Sequence, residues 1–239
     1  MNKFEQDFHY FWELIEKNIN FAFARYADGE VMLMNSIPVK EGTQAFSVDK
    51  WSAPAALTKV GKDLRESLNH TEENYYYAIS SKSDNLSDYS FLKKEIKQSD
   101  QKITFVNLWI NGNYQKSIEK YSLLKRAPIL ICNYEAQKEN FPFKVARIIP
   151  FPNNCIEYWE TEGDNFIKML ITEVGDKHNE LFFISCGPVS EIIIDKLYRN
   201  NPNNTYIDVG SSIDEFVHQY KTRPYMDNNT IYSKMISSF

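Results

Sequence analysis

The chain has 239 residues, which suits one large α/β domain or two small ones, and its 43% hydrophobic content is enough for a full core. A net charge of −5 argues against a nucleic-acid binder, which carries a basic footprint, yet leaves room for a nucleotide whose charge a metal would balance. Three widely spaced cysteines without a CxxC point to buried thiols rather than a disulfide framework or structural zinc site, and no apolar run reaches the ~18 residues of a membrane span.

Phe4, Phe8, Phe11 and Ile15 recur at helical spacing, so residues 3–18 read as an amphipathic helix. That acidic, periodic start is unlike a signal peptide, and the expectation is a cytoplasmic protein. A peripheral membrane contact or a homo-oligomer is compatible with this composition, and nothing in it demands either. Residues 20–25 read as a buried strand. A helix over 52–68 follows from Leu57, Val60, Leu64 and Leu68 on one face. Strand 75–79 precedes a polar loop and a helix around 89–98. Strands are expected at 103–106, 128–132, 145–149, 181–185 and 205–208. Helices follow near 114–124, over 155–174, through Leu197 and through Tyr220.

Such alternation implies a single Rossmann-like α/β domain over 1–220, with a mostly parallel sheet and helices on both faces. Residues 221–239 read as a docked tail or a lid. The polar and glycine-bearing stretches all follow strands. In open parallel sheets ligands bind outside the strands' carboxyl ends, so these stretches should meet on one edge.

The first is ArgTyrAlaAspGlyGlu, residues 25–30. On a helix, Asp28 and Glu30 would point ~200° apart. In a turn that Gly29 permits, both carboxylates could face one point and offer hard oxygen ligands to Mg²⁺ or Mn²⁺. Arg25 could grip phosphate or hold a carboxylate. An Asp-Gly turn or a plain helix cap accounts for the same residues.

The stretch FAFARYADGE (21–30) resembles the Arg-Tyr-Gly-Asp-Gly-Glu signature of the GT-D glycosyltransferases of bacterial glycan assembly. FFISCGPVSEIIIDKLY (182–198) is similar to that family's strand, Gly-Pro turn and helix. TYIDVGSSIDEF (205–216) looks like its Ile-Asp-(Ile/Val)-Gly strand end, and IIPFPNNC (148–155) like a Pro- and Asn-containing loop. The likeness covers 20–32 and roughly 127–218. Ala27 stands where the family has Gly, and Ser211-Ser212 where a His-hydrophobic pair is usual.

The resemblance implies a metal-dependent transfer of a sugar from a nucleotide-diphosphate sugar, a UDP-sugar being favoured. The acceptor would be a glycan, a lipid-linked glycan or a glycoprotein in surface polysaccharide or glycoprotein assembly. It puts Asp28 and Glu30 on Mn²⁺ or Mg²⁺ and the diphosphate, with Arg25, Tyr26 and Gly29 beside them.

Gly187-Pro188 opens a helix whose free amides attract phosphate, or is a plain strand–helix turn. Asp208, before Gly210, could bind a hydroxyl or act as a base, or could cap the next helix with Ser211. Glu215 reads as a surface acid. Asn107, Asn133 and Asn154 follow strands and offer amides to a nucleobase or sugar, as do turn asparagines generally; Trp109 and Tyr114 read first as core. His9, His70, His178 and His218 show no ligand spacing and are expected at the surface. Two further readings stand beside the transferase: a non-catalytic nucleotide-sugar-binding or partner subunit of a glycan-assembly complex, and a metal-dependent phosphoesterase.

Overall fold

The computed structural model describes residues 1–37 and 58–239. Seven short strands carry the framework: β1 (Ala22–Tyr26), β2 (Tyr75–Ile79), β3 (Ile103–Phe105), β4 (Ile129–Asn133), β5 (Arg147–Phe151), β6 (Leu181–Ser185) and β7 (Thr205–Asp208). They form one sheet in the order β3-β2-β1-β7-β6-β4-β5. Every pairing is parallel. Segments such as TyrTyrTyrAlaIle, buried at every position, are what a sheet covered on both faces selects.

Side chains alternate between two layers, as the strand period requires. Ala22, Ala24 and Tyr26 of β1 face a core built with α2 (Asp28–Met34), α3 (Lys59–Ser67), α4 (Leu86–Glu95), α6 (Cys155–Val174) and α7 (Ser190–Asn200). Phe21 and Phe23 face the other core, with α1 (Lys3–Glu16), α5 (Tyr114–Ser122) and α8 (Asp214–His218). The second layer is strongly aromatic. Phe11 meets Phe23 and Tyr76 edge-on at 4.8 and 4.9 Å, and Trp12 meets Trp109 at 5.8 Å.

The expected elements recur with shifted ends. The long helix over 155–174 and the strands at 75–79, 181–185 and 205–208 stand where the pattern puts them. Of the helix expected over 52–68, the part 52–57 lies outside the described residues, and the remainder is α3. The helix expected through Tyr220 ends at His218, where Gln219 turns left-handed at φ 62°. The helix α2 answers to no sequence expectation.

One histidine expectation is overturned. His70 is buried, its ring stacked on Tyr75 at 3.8 Å, with Nε2 2.7 Å from Asp195 Oδ1 and Nδ1 2.8 Å from Glu72. It joins the end of α3 to α7. His218 is partly buried and pairs with Glu135 at 3.0 Å.

Which layer the chain enters after each strand decides where crevices open. After β1 it enters the α2 layer, and after neighbouring β7 it enters the opposite layer through Val209 and Ile213. After β6 it enters the α7 layer, and after neighbouring β4 it enters the opposite one through Phe141 and Phe143. Connections that diverge at adjacent strand ends leave a gap between them. Cavities open at both of these places, on one edge of the sheet.

The tail runs back along the same edge. Met235 accepts from the amide of Gly112 at 3.0 Å, Ser237 donates to Asp84 at 2.9 Å, and Phe239 stacks on Phe105 at 4.2 Å.

Candidate active site

The first gap, at the carboxyl ends of β1 and β7, holds a cavity of about 500 Å³. Arg25, Asp28, Glu30, Gly187, Asp208 and Gly210 all line it, as do Gly29, Asn107 and Pro188. Residues up to 185 positions apart in sequence thus meet on one edge because each ends or follows a strand.

Arg25 is the last but one residue of β1. Its Nε donates to the carbonyl of Val106 at 2.8 Å, and Nη1 lies 3.4 Å from Asp208 Oδ2. Their side chains are 12% and 6% exposed. Burial works against the charged guanidinium, but Asp208, Glu191 and Glu30 outweigh it and hold its pKa above the ordinary value. Asp208 Oδ1 accepts the Gly210 amide at 2.7 Å, so both carboxylate oxygens are engaged. Gly210 is needed here: its φ is +49°, and a β-carbon would stand 1.6 Å from Arg25 Nη1.

The acidic pair reaches the cavity by a route other than the expected turn. Asp28 and Glu30 occupy the first turn of α2, and Glu30 folds back so that Oε2 accepts the Ala27 amide at 2.7 Å. This is the return half of a capping box, and it brings both carboxylates to one cavity despite their helical spacing. Ala27 is extended, at φ −118° and ψ −161°, a conformation open to a residue with a β-carbon. Burial pushes Glu30 up to about 7, helped by Asp28 and Asp208 and opposed by the Ala27 amide.

The opposite wall is the β6–α7 turn. Gly187 takes φ +57°, and Ser190 Oγ accepts the Cys186 amide at 2.9 Å. Behind it Glu191, 1% exposed, stands against Asp208. Burial, then Asp208 and Glu30, push the Glu191 pKa well above the ordinary carboxylate range. Nothing in the sequence reading pointed to Glu191 beyond its place in an acid-flanked isoleucine run. Arg223, Tyr225 and Tyr232 of the tail also line the cavity and were not anticipated. Tyr225 bonds Ser211 through its hydroxyl at 2.6 Å.

Three expected residues stand elsewhere. Tyr26 points into the α2–α3–α7 core, fully buried, its hydroxyl 2.7 Å from Ser67, because it alternates with Arg25 along β1. Asn133 lines the second gap instead. Asn154 precedes α6, exposed, and donates to Glu157 at 3.2 Å. Trp109 is core, as first expected, and Glu215 is partly buried and accepts from Tyr114 at 2.9 Å rather than standing free at the surface.

For a divalent cation the donor chemistry fits. Asp28 and the second oxygen of Glu30 are hard ligands in a cavity crowded with carboxylates, as the raised Glu30 shows. Among the described residues no group of three or more His, Cys, Asp or Glu could hold a metal by itself, so a ligand's phosphates would complete the shell.

No family model matches the chain, and no curated protein does. Two solved structures are similar over 89% of this chain and 81% of theirs. One is a selenomethionine-substituted structure of domain of unknown function 1792, with 15% identity and a TM-score of 0.56. The other, with 16% identity and a TM-score of 0.51, is described as showing that this highly conserved domain has a distinct glycosyltransferase fold. The chain is thus a single α/β domain with a glycosyltransferase-like fold built on a seven-stranded parallel sheet. Among the described residues no helix is long and apolar enough to cross a membrane.

Proposed function

We propose that this chain is a metal-dependent glycosyltransferase acting on a nucleotide-diphosphate sugar, with a UDP-sugar favoured. The observation that carries this reading is the convergence of Arg25, the Asp28/Glu30 pair and the Gly187 turn on one cavity at the β1–β7 edge. At the wall, the Gly187 turn would let a phosphate approach the backbone closely, and Arg25 offers a planar fork held in place by Asp208.

Asp28 and Glu30 would hold Mn²⁺ or Mg²⁺, which when bound would offset the charge on a diphosphate leaving group. In the transfer, an acceptor oxygen bonds to the anomeric carbon while that carbon's bond to the diphosphate oxygen breaks. The electron pair leaves with the nucleoside diphosphate. With inversion, Asp208 is the carboxylate at hand for the acceptor's proton; with retention the proton passes to the departing diphosphate. The acceptor would be a glycan, a lipid-linked glycan or a glycoprotein, reached in the cytoplasm during surface polysaccharide or glycoprotein assembly.

The test is nucleotide binding across UDP-, GDP- and TDP-sugars, with Mn²⁺ and with a chelator. One nucleotide should bind more tightly with the metal, and Glu30→Gln should remove the difference. A nucleotide that binds equally with and without metal would sink the metal assignment. No nucleotide binding at all would sink the transferase.

A further inference from the structure

The second gap opens between β4 and β6, beside the first, and holds a cavity of about 140 Å³. Ser185, Gly187 and Asp214 line both cavities, so the two share a wall. Their chemistry differs. The first is lined by Arg25 and Arg223; among the described residues lining the second there is no lysine or arginine.

What lines the second cavity is neutral or acidic. Asn133 and Asn153 bond to each other through their side-chain amides. Glu135 is held by His218 at 3.0 Å, and Asp214 accepts from Thr222 at 2.8 Å. Phe151 and the buried thiols of Cys132 and Cys186 supply an apolar floor. At the rim the ring of Tyr220 is 57% exposed.

A phosphate would find no cation here apart from His218, which already faces a carboxylate. A neutral polyhydroxylated ring finds what it needs. Carboxylate and amide oxygens accept from hydroxyls, amide N–H groups donate to them, and an exposed aromatic face covers the ring's apolar side. The volume suits one ring rather than a chain of them.

We propose that this second cavity is the subsite for a neutral monosaccharide unit of the acceptor, with Asn133, Glu135 and Tyr220 as its recognition residues. This rests on the transferase reading above. The shared wall then sets the acceptor hydroxyl next to the cavity assigned to the donor. Asn133 thereby serves the acceptor and not the nucleotide. Asp214, on the common wall, faces both partners.

The experiment uses the full chain and a panel of methyl glycosides, followed by saturation-transfer NMR with UDP and Mg²⁺ present. At least one glycoside should bind, and Tyr220→Ala and Glu135→Gln should each weaken it by about tenfold. UDP affinity should stay within about twofold of wild type. Tyr220 is exposed, so its variant should fold, and circular dichroism verifies that. Loss of UDP affinity in these variants, with glycosides unaffected, would make the cavity a nucleoside site and overturn the proposal. So would the absence of any glycoside signal when UDP binds. If a glycoside binds and is weakened by both variants while no nucleotide binds, the sugar site stands and the transferase reading falls.

Discussion

Glu191 is the residue whose role differs most from its appearance in the sequence. Acids in the first turn of a helix are ordinarily solvated and favourable there. Here α7 is buried on nearly every side: Ile192, Ile193 and Ile194 are all inaccessible, and so is Asp195. Three consecutive isoleucines point in three directions around a helix, which leaves no solvent face for the acid before them. That run was the available signal. The folded pKa of Glu191 therefore stands well above the unfolded value, through burial and then Asp208. Between those two values the native state binds a proton that the unfolded chain has released, so stability falls as pH rises out of the ordinary carboxylate range. Glu191→Gln cannot ionise and still offers a donor to Asp208. Its melting temperature relative to wild type should therefore increase as pH rises above the ordinary carboxylate range. Parallel melting curves across that rise would mean that Glu191 is ionised in the native protein. Arg25, by contrast, was legible. A guanidinium following a buried strand must find an anion; the expected carboxylates were the nearby Asp28 and Glu30, and the structure instead supplies Asp208, 183 residues away.

At the scale of elements, strands were easier to read than the segments after them. Consecutive apolar residues mark a buried strand whatever it packs against, whereas α2 begins with Asp-Gly, the usual signature of a turn. The backward hydrogen bond from Ala27 to Glu30 makes it a helix start. The α3–α7 contact escaped for a different reason, since no local pattern joins His70 to Asp195. Both side chains are fully buried and 2.7 Å apart, and Arg199 also donates to Asp195 at 2.7 Å. Burial opposes the Asp195 charge, yet His70 and Arg199 hold its pKa below the ordinary range. Removing one member of such a pair leaves a buried polar group without its partner. Asp195→Ala should cost about 3–5 kcal/mol by denaturant unfolding. Asp195→Asn, which keeps the shape and an acceptor, should cost less. A loss in Asp195→Ala of under about 1 kcal/mol would place the pair among surface ion pairs.

At the scale of the molecule, the two-layer sheet makes both crevices without help from the tail, while the tail finishes one wall. Asn107 sits on the cavity's rim and reaches Ser237 at 3.4 Å. Gly112 allows the tail backbone to come close, since a β-carbon there would lie 2.6 Å from the carbonyl oxygen of Met235. Ser237 bonds Asp84, the Ser238 amide donates to Ser83 Oγ at 3.0 Å, and Phe239 covers Phe105. Composition alone left this segment as either docked or a lid, because its polar and aromatic residues show no period; the contacts that fix it are with loops distant in sequence. Of these partners only Phe105 lies in a strand, at the end of the edge strand β3, and no tail residue pairs with the sheet through its backbone. Deleting residues 235–239 should therefore leave the fold intact, with a melting temperature lowered by only a few degrees. It should free the segment after β3, so that the Gly112 amide exchanges faster with solvent while amides of β1 and β7 keep their protection. Nucleotide affinity should drop by about two- to tenfold, the cost of ordering Asn107 and its neighbours on binding. Hydrogen exchange and a nucleotide titration on the truncated chain read both effects. A collapse of protection throughout the sheet would make the tail part of the core, and unchanged exchange at Gly112 would show that the loop after β3 holds its shape without it.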